Sequence, residues 1–74
     1  MRWKYNGTRM VTTRSLGDRT LMASIHIGVN EPHHAVVWVV GDEPVESRQS
    51  SFDSLFEAAD WVEELMGELT WSRL

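Results

Sequence analysis

The sequence predicts an α+β domain: a four- or five-stranded antiparallel sheet with one C-terminal amphipathic helix packed on one of its faces. Three observations carry this reading. Residues 20–29 alternate, with Leu21, Ala23, Ile25, Ile27 and Val29 on one side and Met22, Ser24, His26 and Gly28 on the other, which is the pattern of a half-buried strand. Residues 35–40 are apolar at both parities, as in a central strand covered at least partly on both faces. From Leu55 onward, Leu55, Ala58, Ala59, Val62, Leu65, Met66 and Leu69 recur at 3-to-4 spacing and give a helix one apolar stripe.

The remaining elements follow from local chemistry. Asn6-Gly7 predicts a two-residue type I′ hairpin, because both central positions of that turn need positive φ; it separates a short Trp3/Tyr5 segment from a strand over residues 8–14. Ser15-Leu16-Gly17-Asp18 reads as a second turn. Asn30-Glu31-Pro32-His33 interrupts the alternating strand, since proline cannot donate to a ladder and restricts the residue before it. Gly41-Asp42-Glu43-Pro44 is the next turn, and the polar segment 45–50 has the character of an edge strand. Ser54-Leu55-Phe56-Glu57 fits a capping box, so the helix should start there. Gly67 weakens its last turn, and residues 70–74 read as a frayed end, a helical extension or a short strand.

Register can be taken one step further. Pairing Ile25 with Val39, Ile27 with Val37 and Val29 with Ala35 puts the aliphatics of both strands on one face and His26 opposite Trp38. The second face then gathers Met22, Ser24, His26, Val36, Trp38 and Val40, joined by Met10, Thr12 and Arg14 if Val11 sides with the aliphatics.

With 74 residues there is room for one core, so residues 1–74 form a single domain, and a chain this short buries only roughly 60% of its unfolded surface. There is no cysteine, which removes disulfides and thiolate zinc sites and gives no argument for an oxidising compartment. No signal-like or membrane-spanning apolar run is present, and a cytosolic location with no membrane association is expected. The net charge of −4 hides an asymmetry. Residues 1–20 hold Arg2, Lys4, Arg9, Arg14 and Arg19 against Asp18, whereas residues 21–74 hold Arg48 and Arg73 against ten carboxylates. The acidic part would repel nucleic acid and suit a basic protein groove; solvation, or neutralisation across the fold, is the plainer alternative.

Two surfaces are candidates for function. Opposite the apolar stripe, Asp53, Glu57, Asp60, Glu64 and Glu68 advance by steps of three and four residues and form one acidic row, uninterrupted by lysine or arginine, with Trp61 at its margin. Like charges so spaced weaken a helix by roughly 0.2–0.5 kcal/mol per pair, and only those in the first turn benefit from the helix dipole. The row is either a solvated face partly neutralised by the N-terminal arginines or a surface that docks on a basic partner. The face of Met22, His26, Val36, Trp38 and Val40 is the second candidate interface. It needs cover from the Trp3/Tyr5 segment, from the Trp71 tail, or from another chain, and Trp38 near Arg14 could also stack a base. The histidines do not argue for a metal, because this register puts His26 roughly 15 Å from His33 and His34. No nucleophile elbow, phosphate loop or converging carboxylates are present, so neither a catalytic residue nor a cofactor is expected and the chain reads as a non-enzyme.

Strands followed by Ser51-Phe52-Asp53-Ser54 and an acidic helix over residues 55–68 resemble small phage-encoded anti-CRISPR proteins that act on type I interference complexes. The resemblance covers residues 20–69 and lies in architecture, size, charge and the Phe-Asp-Ser lead into the helix. It implies a non-enzymatic inhibitor in the host bacterial cytoplasm that binds a larger protein or ribonucleoprotein assembly, often over the basic path meant for DNA. Asp53, Glu57, Asp60, Trp61, Glu64 and Glu68 would then make the contacts. Two alternatives stay open: a nucleic-acid-binding module using Arg2, Lys4, Arg9, Arg14 and Trp38, and a homodimeric subunit joined through the Trp38 face.

Overall fold

A computed structural model describes residues 2–17, 19–40 and 46–72. It contains five strands and one helix: β1 (Lys4–Asn6), β2 (Arg9–Leu16), β3 (Arg19–His26), β4 (His33–Val40), β5 (Glu46–Phe52) and α1 (Leu55–Ser72). The strands form one open antiparallel meander in the order β1-β2-β3-β4-β5, and α1 packs across one face, mainly over β4 with β3 and β5 beside it. The fold is therefore the α+β arrangement that the sequence predicts, in its five-stranded form. The edge strand expected over residues 45–50 is β5, which the described residues trace from Glu46 to Phe52. The turn expected at residues 41–44 lies outside the described residues, as do the side chains of Leu69 and Trp71.

The core follows from alternation on two central strands and helical periodicity above them. Leu21, Ala23 and Ile25 of β3 and Ala35, Val37 and Val39 of β4 point to the same side and are buried beneath Ala58, Val62 and Met66 of α1. Three of these nine side chains are alanines, which lets the helix approach the sheet closely. Leu21, Ile25, Val37, Val62 and Met66 supply most of the buried volume. Phe52 and Trp61 close the β5 side, their ring centroids 5.6 Å apart, while Trp3 and Met10 close the β1–β2 side. Trp3 is held there because Thr12, itself buried, donates its hydroxyl to the Arg2 carbonyl at 2.6 Å.

Register departs from the sequence reading by four residues. Ile25 pairs with Ala35, Ala23 with Val37, Leu21 with Val39 and Met22 with Trp38, and His26 lies opposite His34 rather than Trp38. The face assignment of β3 and β4 is preserved, because a shift by an even number keeps parity. The cause is the connection over residues 27–32. The Ile27 amide extends the β2–β3 pairing by donating to the Thr8 carbonyl at 2.8 Å, while the Gly28 amide turns from the β3–β4 ladder to donate to His33 Nδ1 at 3.1 Å. Asn30 then reverses the chain at φ 62°, and Val29, expected in the core, is 77% exposed. A methyl group at Gly28 would lie 2.6 Å from the Pro32 carbonyl oxygen and closer still to that of Glu31. Gly28→Ala should therefore cost about 1–3 kcal/mol, read as a lower urea midpoint, since backbone rather than a pliable side chain must give way.

Three smaller expectations are corrected. The first hairpin turns on Gly7-Thr8 rather than Asn6-Gly7: Asn6 pairs with Arg9, and of the two only Gly7 has positive φ (60°), the pattern of a type II′ turn. In β2, Met10, Thr12 and Arg14 stand opposite Ile25, Ala23 and Leu21, so they share the helix-covered face while Val11 sits with Ser24 on the other. The capping box is not made. The Ser54 carbonyl accepts only the first intrahelical bond, from the Ala58 amide at 3.1 Å, and the Glu57 carboxylate stays in solvent, where water hydrates it better than an exposed amide would.

The helix continues through Gly67 to Ser72, the extension among the readings left open for its end. Gly67 has ordinary helical backbone and a Cβ there would meet nothing within 4 Å. Gly67→Ala should stabilise the domain by about 0.5–1 kcal/mol, raising the midpoint of thermal unfolding by several degrees.

Candidate functional site

The five carboxylates of the predicted row are all solvent-exposed. Asp53 lies in the bend before α1; Glu57, Asp60, Glu64 and Glu68 follow along the outer side of the helix, opposite buried Ala58, Val62 and Met66. Among the described residues, no lysine or arginine nitrogen comes within 4.0 Å of any of them; the pair that does reach this distance is His26 with Glu31. The N-terminal arginines go elsewhere. Arg2 and Arg14 share an open cavity of about 450 Å³ with Glu63, which stands at the inner margin of the helix facing β2. Arg48 turns back to the carbonyl of Ser47 at 3.0 Å. The first turn of α1 contains Glu57, which the helix dipole favours, but the last turn contains no basic residue to offset Glu64 and Glu68.

Trp61 is half-buried, packed against the core and tilted at 49° to Phe52, so most of its apolar surface is already used inside the molecule. The aromatic that does face solvent beside the carboxylates is Phe56, 84% exposed one residue before Glu57. With Trp3, Met10, Leu55 and Ala59 it lines a purely apolar groove of about 160 Å³, and Tyr5, 69% exposed, stands on the strand paired with Met10. Phe56 was missed by sequence reasoning because it falls outside the apolar stripe. The available signal was its position between Asp53, Glu57 and Asp60, where a phenylalanine has no structural task.

On the opposite side of the molecule, the sheet face free of α1 collects Met22, His26, Val36, Trp38 and Val40, as predicted. Register arranges them in rows: Lys4, Val11, Ser24, Val36, Gln49; then Thr13, Met22, Trp38, Ser47; and, at one end, Asn6, Arg9, His26, His34, Ser51. No described element packs on this face, which corrects the expectation that residues 35–40 are covered on both sides. Trp3, proposed as cover, lies against the core instead. Met22, Val36 and Trp38 are shielded only by one another and their neighbours, and Val40 is 40% exposed. Arg2 and Lys4 flank Val11 and Thr13 around a shallow cavity of about 250 Å³, while Arg14 projects from the other face, away from Trp38.

The histidines are closer than the sequence register placed them. His26 and His34 are direct cross-strand partners, and His33 adjoins them. Their nitrogens are engaged in other work. His34 Nε2 lies 3.0 Å from Gln49 Oε1 and its Nδ1 3.2 Å from Ser51 Oγ, while His33 Nδ1 accepts the Gly28 amide. Among the described residues, no three His, Asp or Glu side chains come together as metal ligands.

No protein-family model matches the chain, and neither a curated protein nor a solved structure is significantly similar to it. Among the described residues, no helix is long and apolar enough to cross a membrane.

Proposed function

We propose that this chain is a non-enzymatic binding protein that lays the outer face of α1 into a basic groove of a larger protein or ribonucleoprotein assembly. Its most concrete form is an inhibitor that occupies the DNA path of a CRISPR interference complex. The observation that supports this reading is the strip of carboxylates from Asp53 to Glu68, exposed and without an intramolecular cation among the described residues. Stability alone gives no reason for it, since each like-charged pair costs a few tenths of a kcal/mol. The strip runs about 22 Å at helical rise, with a charge every 5–6 Å. One DNA strand presents a phosphate about every 3.4 Å. The helix thus offers a sparser line of negative charge on a comparable straight path, and Phe56 beside it supplies the apolar contact that a line of charge lacks.

The test is competition. A purified type I interference complex is mixed with labelled target duplex and the chain is titrated in. Displacement of the duplex, with mutually exclusive binding of chain and DNA, is the expected result. Simultaneous binding of both, or no binding to the complex, would refute the inhibitor form.

A further inference from the structure

We infer that the sheet face opposite α1 is where two copies of this chain meet. An antiparallel sheet with one face in water normally places polar side chains at the outward positions. Here five of the twelve outward positions of the inner strands are apolar, and Val11, Met22, Val36, Trp38 and Val40 group around Ser24 across β2, β3 and β4, with polar residues at the other positions. The described strands cover roughly 550 Å² in projection at ordinary strand spacing and rise. With side-chain relief, this approaches the roughly 800 Å² that each partner gives to a standard-size interface.

Charge selects a second copy as the occupant and also selects its orientation. Among the described strand residues this face holds no carboxylate, in a chain with eleven; its charged side chains, Lys4 and Arg9, stand along the β1–β2 margin. The β5 margin presents Ser47, Gln49 and Ser51, all exposed and able to accept hydrogen bonds. A two-fold axis running along β3 sets β1 over the partner's β5 and β2 over its β4, so that Lys4 faces Gln49 and Arg9 faces His34 rather than another lysine or arginine. The perpendicular in-plane axis would stack cations on cations. In the first arrangement Met22 meets its own copy near the axis, and the acidic helices point outward, roughly 30 Å apart across two sheets and two helix layers. That separation exceeds the Debye length of about 8 Å at physiological salt, so the acidic faces do not oppose pairing. A nucleic acid strand is the weaker fit. Four of the five apolar residues cannot stack a base, and two cations at one margin do not trace a phosphate path.

The absence of cysteine makes the test clean. Sedimentation of the full chain at micromolar concentration should give twice the monomer mass of 8.5 kDa. Met22→Cys should form a disulfide-linked dimer on mild oxidation, whereas Phe56→Cys, on the outward helix, should not. Trp38→Glu should raise the dimer dissociation constant by about 100-fold or more while leaving the circular-dichroism spectrum unchanged. A monomer throughout, equal cross-linking at positions 22 and 56, or a dimer unaffected by Trp38→Glu would overturn the assignment. A monomer that retards a labelled single-stranded oligonucleotide, and loses this with Trp38→Glu, would overturn it in favour of nucleic acid. Each result is independent of the role proposed for α1, because the carboxylate strip lies on the other side of the molecule.

Discussion

Replacing Glu57, Asp60 and Glu64 together by lysine is expected to abolish the proposed binding to a basic partner groove while the thermal melt stays where it was. Each exposed ion pair with a basic groove contributes up to about 1 kcal/mol, and each reversal adds a repulsion of similar size. Three reversals therefore remove about 4–6 kcal/mol, or at least about a thousandfold in affinity. The fold has little stake in these residues. All three are exposed, and the core lies on the other side of the helix. Within α1 the change even relieves strain. Pairs 53–57 and 64–68 become attractive, while 57–60 and 60–64 remain like-charged. Wild-type affinity should also fall steeply as salt is raised, and the variant should show almost no such slope. Unchanged affinity in the triple variant would remove the carboxylate strip from the mechanism.

The parts of the fold that were legible in the sequence rest on periodicity. Alternation in β3, apolar character in β4 and the 3-to-4 stripe of α1 each report how many faces an element buries, and parity survives errors of placement. The burial of Leu21, Ala23 and Ile25 with Val37, Val39, Ala58 and Val62 was therefore readable in advance. The acidic row was readable for the same reason, since its geometry depends only on residues 55–68 being helical.

What failed was whatever depends on where a turn lies. The β3–β4 register is set by the Gly28 amide turning from the ladder to His33, by the close packing around Gly28 and by the left-handed Asn30. Sequence marks the proline but not these bonds. The same holds for the capping box, where Ser54 and Glu57 have the right types and spacing yet solvent claims the carboxylate. Trp61, expected at the margin of the acidic row, packs inward while Phe56, to which no role was given, faces solvent, although a helical wheel places both near a margin. Only the third dimension shows that the Trp61 margin abuts Phe52 of β5, whereas the Phe56 margin opens on the short β1.

Substitution of Ile25 by alanine is expected to be among the most damaging single changes to stability. Ile25 is fully buried opposite Ala35, in a core where three of nine buried apolar residues are already alanine. Little neighbouring volume can collapse into the space, so the cavity term adds to the lost transfer energy and the cost should be about 2–5 kcal/mol. For a domain of this length total stability is roughly 4–11 kcal/mol, so the variant retains a small remainder or unfolds. In urea, with a slope near 1 kcal/mol per molar, the midpoint should fall by about 2–5 M. Val29→Ala makes the matching control. With Ile25 and Val39 paired, Val29 would face Ala35 under the helix and its truncation would cost about as much as any core valine. In the observed register Val29 is 77% exposed, and the change should stay within about 0.5 kcal/mol. A severe Ile25→Ala with a silent Val29→Ala thus decides the β3–β4 register by stability alone, and two equally severe losses would restore the longer strand.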